Sequence, residues 1–192
     1  MAGQAAASVI AMEDDIIVQQ LQKVFNSGLF RVYTNDDVIG CELGGVLKNI
    51  IAIAVGMGVG LGAGDNTRSA LITRGLAEVT RLGVALGGRA ETFSGLAGMG
   101  DMLATCISTQ SRNHQVGIQL GKGRPIDDII EEMVMVAEGV KSAPTVMALA
   151  ERCGVEMPIA RDVCQVIEGN RTPVQAFQGL IRHMAGAESE PG

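Results

Sequence analysis

The hydrophobic pattern of this chain changes period once. Residues 7–12, Ala7-Ser8-Val9-Ile10-Ala11-Met12, form a short apolar run of strand length. Glu13, Asp14 and Asp15 follow it, and acids favour the start of a helix. Ile16, Ile17, Gln20, Leu21, Val24 and Phe25 then recur at helical spacing, and Gly28 stands where such a helix would stop. Residues 29–33 read as a second strand. Residues 1–35 therefore predict one β-α-β unit, too little for a closed sheet. We expect it to be the end of a larger α/β domain that starts ahead of this chain.

Beyond Asn35 nearly every segment carries a helical period. Asn35 reads as an N-cap, with Asp36 and Asp37 in the first turn. Residues 66–86 place Ile72, Leu76, Val79 and Leu86 on one face. Shorter helices are predicted at 91–96, 99–106, 112–120 and 125–134, and longer ones at 138–152, 158–168 and 173–184. Gly121, Gly123, Gly154 and Gly169 fall at helix ends, and Pro125, Pro158 and Pro173 at helix starts. Residues 185–192 are small and polar and read as a disordered tail. The predicted fold is mainly α, a compact helical domain over 36–184 behind the β-α-β remnant.

Composition narrows the function. Of 192 residues, 26 are glycine, about twice the usual share of roughly 7%. Five prolines and no three-residue glycine period exclude a collagen-like chain, and 47% apolar residues exclude a disordered acidic tail. A net charge of −6 with no Lys/Arg run argues against a nucleic-acid surface. An anionic ligand would need a local basic pocket. Cys41, Cys106, Cys153 and Cys164 form no C-x-x-C pair, and only His114 and His183 could join them, so no metal site is expected. Reduced thiols suit the cytoplasm. The first eight residues lack the basic and apolar regions of a signal peptide. The longest uncharged run, between Lys48 and Asp65, falls short of a membrane span.

Glycines alternate from Gly56 to Gly64, and Gly58-x-Gly60-x-x-Ala63 formally matches a dinucleotide fingerprint. The acid at the required distance, Glu78, lies inside a helical pattern. The run therefore reads as a glycine-rich helix end and tight turn that permit close backbone packing. Lys48 is a lone cation in an apolar run, so it either snorkels to solvent or meets a buried partner, where it could donate or accept a proton. Asp101, after Gly98-Met99-Gly100, is either a helix cap or that partner. Ser111-Arg112-Asn113 opens a helix and offers free amides, a hydroxyl, a guanidinium and an amide to a phosphate; a plain cap with a surface arginine is the alternative. Glu138 reads most simply as a helix-start acid.

Taken in order, Arg31-Val32-Tyr33-Thr34-Asn35, Gly44-Gly45-Val46-Leu47-Lys48-Asn49, Gly62-Ala63-Gly64-Asp65-Asn66, residues 71–78, Gly95 to Asp101, Ser111-Arg112-Asn113 and Glu138-Gly139-Val140 resemble the bacterial type of NAD(P)-dependent glycerol-3-phosphate dehydrogenase. The resemblance covers residues 7–184. It implies an N-terminal Rossmann domain and a C-terminal helical substrate domain like that of 6-phosphogluconate dehydrogenase. It implies interconversion of dihydroxyacetone phosphate and glycerol 3-phosphate for phospholipid synthesis, with NAD or NADP as cofactor. By motif, Lys48 would be the catalytic proton donor and acceptor, with Asp101 beside it in the substrate site. Ser111, Arg112 and Asn113 would hold the substrate, chiefly its phosphate, and Thr105 would be a lesser candidate nearby. Arg112, Val136 and Glu138 would contact the cofactor. Gly44, Gly45, Gly98 and Gly100 would give clearance beside Lys48 and Asp101. A second copy of the chain is a candidate partner.

Some features depart from that pattern. The phosphate-binding glycine loop and a further substrate lysine would lie ahead of this sequence. Val59 stands where relatives have an acid, and His114 where another basic residue is common. The chain alone is therefore expected to be inactive. A competing expectation is a non-catalytic interaction or dimerisation module that keeps the fold without the chemistry. A sister dehydrogenase of unphosphorylated hydroxy acids would have no use for Ser111-Arg112-Asn113.

Overall fold

A computed structural model describes residues 3–183 apart from Val134 and Val136. The expected tail over 185–192 lies outside these residues. Strands β1 (Ala6–Ala11) and β2 (Phe30–Asn35) pair in parallel, from Ala6 against Phe30 to Ala11 against Asn35. Helix α1 (Asp15–Phe25) connects them, and the Asp14 carboxylate accepts the amides of Ile16 and Ile17 at its start. Its C-cap is Asn26, two residues before the glycine stop expected at Gly28.

The helical body follows: α2 (Val38–Gly60), α3 (Asp65–Ala85), α4 (Ala90–Ser94), a π-helical turn (Leu96–Gly100), α5 (Asp101–Ile107), α6 (Arg112–Gly121), α7 (Ile126–Glu132), α8 (Glu138–Cys153), α9 (Pro158–Ile167) and α10 (Pro173–His183). The cap of α2 is Asp37, whose Oδ1 accepts the Gly40 amide at 2.8 Å. Asn35, expected in that role, sits two residues too early; its Oδ1 accepts the Asp37 amide instead. Asp37 also ties the junction to the α3–α4 loop, since its Oδ2 accepts the Arg89 amide at 2.8 Å, while the Arg89 guanidinium grips Asp36. The β-α-β unit is thereby held to the body.

Helix α2 is the hub. Leu47, Ile50 to Val55 and Met57 are all buried, covered by α3, α5, α6, α8 and α9. With 23 residues and a mean hydropathy of 1.8 it is long and apolar enough to cross a membrane, yet over half of it is buried within the protein. Its apolarity is that of a core helix. The glycine excess is explained along its C-terminal half. Gly56 and Gly60 face Gly117 and Gly121 of the parallel neighbour α6, and backbone meets backbone: a Cβ on Gly117 would lie 2.1 Å from the Ile53 carbonyl oxygen. Gly121 is therefore a packing residue rather than the expected helix stop, and Gly123, at φ +85, makes the left-handed turn. Gly62 turns the chain toward α3. The dinucleotide-like run is thus the packed C-terminal end of α2 and the turn after it, rather than a loop between a strand and a helix.

Glu78 of α3 is 2% exposed. Its two carboxylate oxygens accept the amides of Ile159 (2.8 Å) and Ala160 (3.2 Å), capping α9 from another helix. Burial pushes its pKa up to about 7, against the opposing pull of those two amides.

Candidate active site

Lys48 lies on α2 at the rim of the buried stretch, and its Nζ donates to Asp101 Oδ2. The lysine side chain is 18% exposed and the aspartate 42%. Asp101 is the first residue of α5, and Gly100 before it is already helical, so the carboxylate caps nothing and is free to pair with Lys48. The lone cation therefore has its partner across two elements. The π-helical turn approaches α2 closely because Gly44 has no side chain: a Cβ there would sit 2.8 Å from the Ala97 carbonyl oxygen. Gly44 and Gly98 are packed against protein rather than clearing space, whereas a Cβ on Gly45 would meet nothing within 4 Å. Thr105 donates to the Asp101 carbonyl at 2.7 Å, one helical turn on. Cys106 is buried close behind, and burial pushes its thiol up to about 12, Lys48 acting in the opposite direction. It is not a nucleophile.

A second cluster forms at the start of α6. Ser111 is its N-cap and accepts the His114 amide at 3.3 Å. Arg112 is exposed and has no ion pair or side-chain hydrogen bond among the described residues. Asn113 is buried, and both ends of its amide are committed. Nδ2 donates to Asn49 Oδ1 at 2.9 Å, and Oδ1 accepts the Gly139 amide at 2.9 Å. This bridge ties α2, α6 and α8 together at one point. Lys48 adjoins Asn49, Arg112 adjoins Asn113, and Glu138, exposed at the start of α8, adjoins Gly139. Gly139 admits the bridge, since a Cβ would lie 2.9 Å from Asn113 Oδ1. Val136 lies outside the described residues. His114 is buried, and burial holds its pKa below the ordinary value, which favours the neutral imidazole at this position.

Asp101 also lines a cleft of about 420 Å³ between the helical body and β1, with Ser8, Val9, Cys41 and Ala97. A neighbouring cleft of about 570 Å³ shares Val9 and Ala97 and extends to Asn35 and Arg89. Asp101 thus opens toward the strand layer.

A family model described as the C-terminus of NAD-dependent glycerol-3-phosphate dehydrogenase matches residues 37–178. The chain belongs to the NAD-dependent glycerol-3-phosphate dehydrogenase family. It is 70% identical over all 192 residues to glycerol-3-phosphate dehydrogenase (NAD(P)+) 2 of Sphingopyxis alaskensis, of which it spans 58%. It is 55% identical over 186 residues to glycerol-3-phosphate dehydrogenase (NAD(P)+) 1 of Mycobacterium tuberculosis, covering 97% of this chain and 54% of that one. The crystal structure of glycerol-3-phosphate dehydrogenase from Coxiella burnetii superposes with a TM-score of 0.89 at 40% identity, over 94% of this chain and 55% of that chain. The chain thus spans little more than half the length of the dehydrogenases it matches.

For a chain of this family, the structure pairs Lys48 with Asp101 and brings Arg112 and Glu138 to a common anchor. Sequence reasoning did not single out Asn49. An amide side chain inside an apolar helix must find a partner, and that was the available signal.

Proposed function

We propose that this chain is the substrate-handling part of a glycerol-3-phosphate dehydrogenase that interconverts dihydroxyacetone phosphate and glycerol 3-phosphate, supplying phospholipid synthesis in the cytoplasm. The observation that carries this reading is the Lys48–Asp101 pair, whose helix is tied through the Asn49–Asn113 hydrogen bond to the helix that opens with an uncompensated arginine. Arg112 and the first amides of α6 suit the substrate phosphate, combining a guanidinium with the positive end of a helix. Asn113 contributes through the backbone it fixes, because both ends of its amide are engaged, whereas the Ser111 hydroxyl accepts the His114 amide and keeps its own proton to donate. Anchoring the phosphate places the C2 carbonyl, so binding energy away from the reacting carbon orients it.

Lys48 then acts at the C2 oxygen. Its ammonium stabilises the growing alkoxide and donates a proton to it; in the reverse direction its amine takes the hydroxyl proton. Asp101 aims the ammonium and balances its charge. NAD or NADP, when bound, supplies or accepts the hydride. Arg112 and Glu138 are placed to hold one flank of that cofactor. The Gly58–Ala63 segment does not fit it, being packed against α6 and other side chains. The glycine cradle must come from an additional α/β segment, so this chain by itself should not oxidise NAD(P)H with dihydroxyacetone phosphate. The free thiols of Cys41, Cys106, Cys153 and Cys164 support a reducing compartment.

Millimolar glycerol 3-phosphate should raise the melting temperature of the chain, and Arg112→Ala should abolish the rise. No rise in the parent chain, or an equal rise in the variant, contradicts the reading.

A further inference from the structure

Lys48 and Asp101 meet only while α2 and the segment leading into α5 keep one register. The two run side by side, and their contacts fall on one seam. Gly40, Gly44 and Lys48 recur every fourth residue on one face of α2. Opposite Gly40 stands Gly88, where a Cβ would lie 3.0 Å from the Gly40 Cα. Opposite Gly44 stand the Ala97 carbonyl and the Gly98 Cα of the π-helical turn. Opposite Lys48 stands Asp101. At the head of the seam is Asp37, whose side chain is 5% exposed. Its Oδ1 accepts the Gly40 amide at the start of α2, and its Oδ2 accepts the Arg89 amide at the start of α4, each at 2.8 Å. Burial works against this carboxylate. The Arg89 amide, the Thr92 hydroxyl and the Gly40 amide outweigh it and hold the pKa below the ordinary value.

The glycine contacts let the two backbones approach, but they do not stop one from sliding along the other. Phe93, fully buried against Gly83 and Gly98, holds the segment in the core, yet apolar packing is non-directional. No side chain caps the start of α4, of the π-helical turn or of α5 through its own N-cap residue. Asp37 supplies a directional bond to both sides at once. We propose that Asp37 is a positioning residue for the Lys48–Asp101 pair. One buried carboxylate ties together the starts of the two stretches that carry the pair and so fixes their register. It acts through the two backbones, about three helical turns from Lys48 along α2. A slip by one residue's rise, about 1.5 Å, would pull the ammonium off its carboxylate. Misplacement on that scale is costly to a reacting group. The catalytic consequence rests on the functional reading above; the seam stands on its own contacts.

Nitrogen NMR of the lysine ammonium groups tests this on the chain. In the parent, Asp101→Asn moves the Lys48 Nζ resonance, and the size of that move measures the pair. Asp37→Ser keeps an oxygen to cap Gly40 but is too short to reach Arg89 as well. Its Lys48 resonance should lie at least halfway to the Asp101→Asn position. Adding Asp101→Asn should then move it less than half as far as in the parent. Asp37→Asn, which can accept only one of the two amides, should do as much. Arg89→Ala keeps the backbone amide and should leave the resonance in place. Asp162→Asn breaks the ion pair of buried Asp162 with Arg171, away from the seam. It should lower the melting temperature without moving the resonance. The inference is overturned if either folded Asp37 variant keeps the parent resonance, or if Asp162→Asn moves it as far. Glycerol 3-phosphate binding is scored separately, at the Arg112 amide. A displaced Lys48 resonance in a chain whose parent binds no glycerol 3-phosphate sinks the functional reading and upholds the seam.

Discussion

The β-α-β unit and the helical body follow opposite rules of burial. From Ala6 to Asn35 only Val18 and Val32 are buried apolar side chains, while Ile16, Ile17, Val24, Phe25, Leu29 and Tyr33 are exposed. In the body, α2 alone buries Ile50 to Val55 without interruption. Both regions are rich in apolar residues, so the difference lies in what covers them. The body is closed by its own helices. The strand unit carries a hydrophobic pattern written for neighbours that these residues do not provide, and its stability is correspondingly local.

The largest effect expected from breaking this contrast is at the α2–α6 contact. Gly117→Leu drives a side chain into the Ile53 carbonyl, with no flexible group to yield, and should cost about 3 kcal/mol or more in chemical denaturation. A loss under about 1 kcal/mol would mean the two helices separate easily. Next comes Glu78. Its carboxyl is held at about 7 in the fold against 4.5 when free, so the folded chain binds the extra proton between those values. Stability should be greatest below pH 4.5 as far as this group is concerned, and fall by about 3 kcal/mol as pH rises through 7. Glu78→Gln should flatten that slope in denaturant titrations at several pH values. An unchanged slope would place the titration elsewhere.

Asn113→Ala strands the Gly139 amide and the Asn49 side chain in a buried place. It should cost about 1–3 kcal/mol, read as a shifted denaturation midpoint. The smallest effect is expected in the strand unit. Ile16→Ser changes a side chain already in water and should stay within about 0.5 kcal/mol. A loss as large as that of Asn113→Ala would show that the unit is better closed than its exposure indicates.

Much of this was legible because local chemistry decided it. The acids after β1, the prolines opening α7, α9 and α10, and the left-handed glycines at 123, 154 and 169 act within a few residues of themselves. The alternatives for Lys48 and Asp101 were also legible: a cation in an apolar run needs an anion, and the chain offered one. That Asp37 rather than Asn35 caps α2 was not, because Asp37 is favoured by a second bond to Arg89, 52 residues on. Gly121 misled because a packing glycine and a stop glycine look alike until α2 lies against it. The Asn49–Asn113–Gly139 bridge spans three helices and has no local trace beyond polar residues at buried positions.

The central claim is that substrate handling belongs to the helical body around Lys48 and Arg112, while the strand layer waits for its neighbours. The most direct measurement is a glycerol 3-phosphate titration of the chain followed by amide NMR. The account predicts saturable shifts at Arg112, Asn113 and Gly139, absent in Arg112→Ala, with the amides of α1 unmoved. Shifts centred on α1, or none at the start of α6 at millimolar ligand, would contradict it.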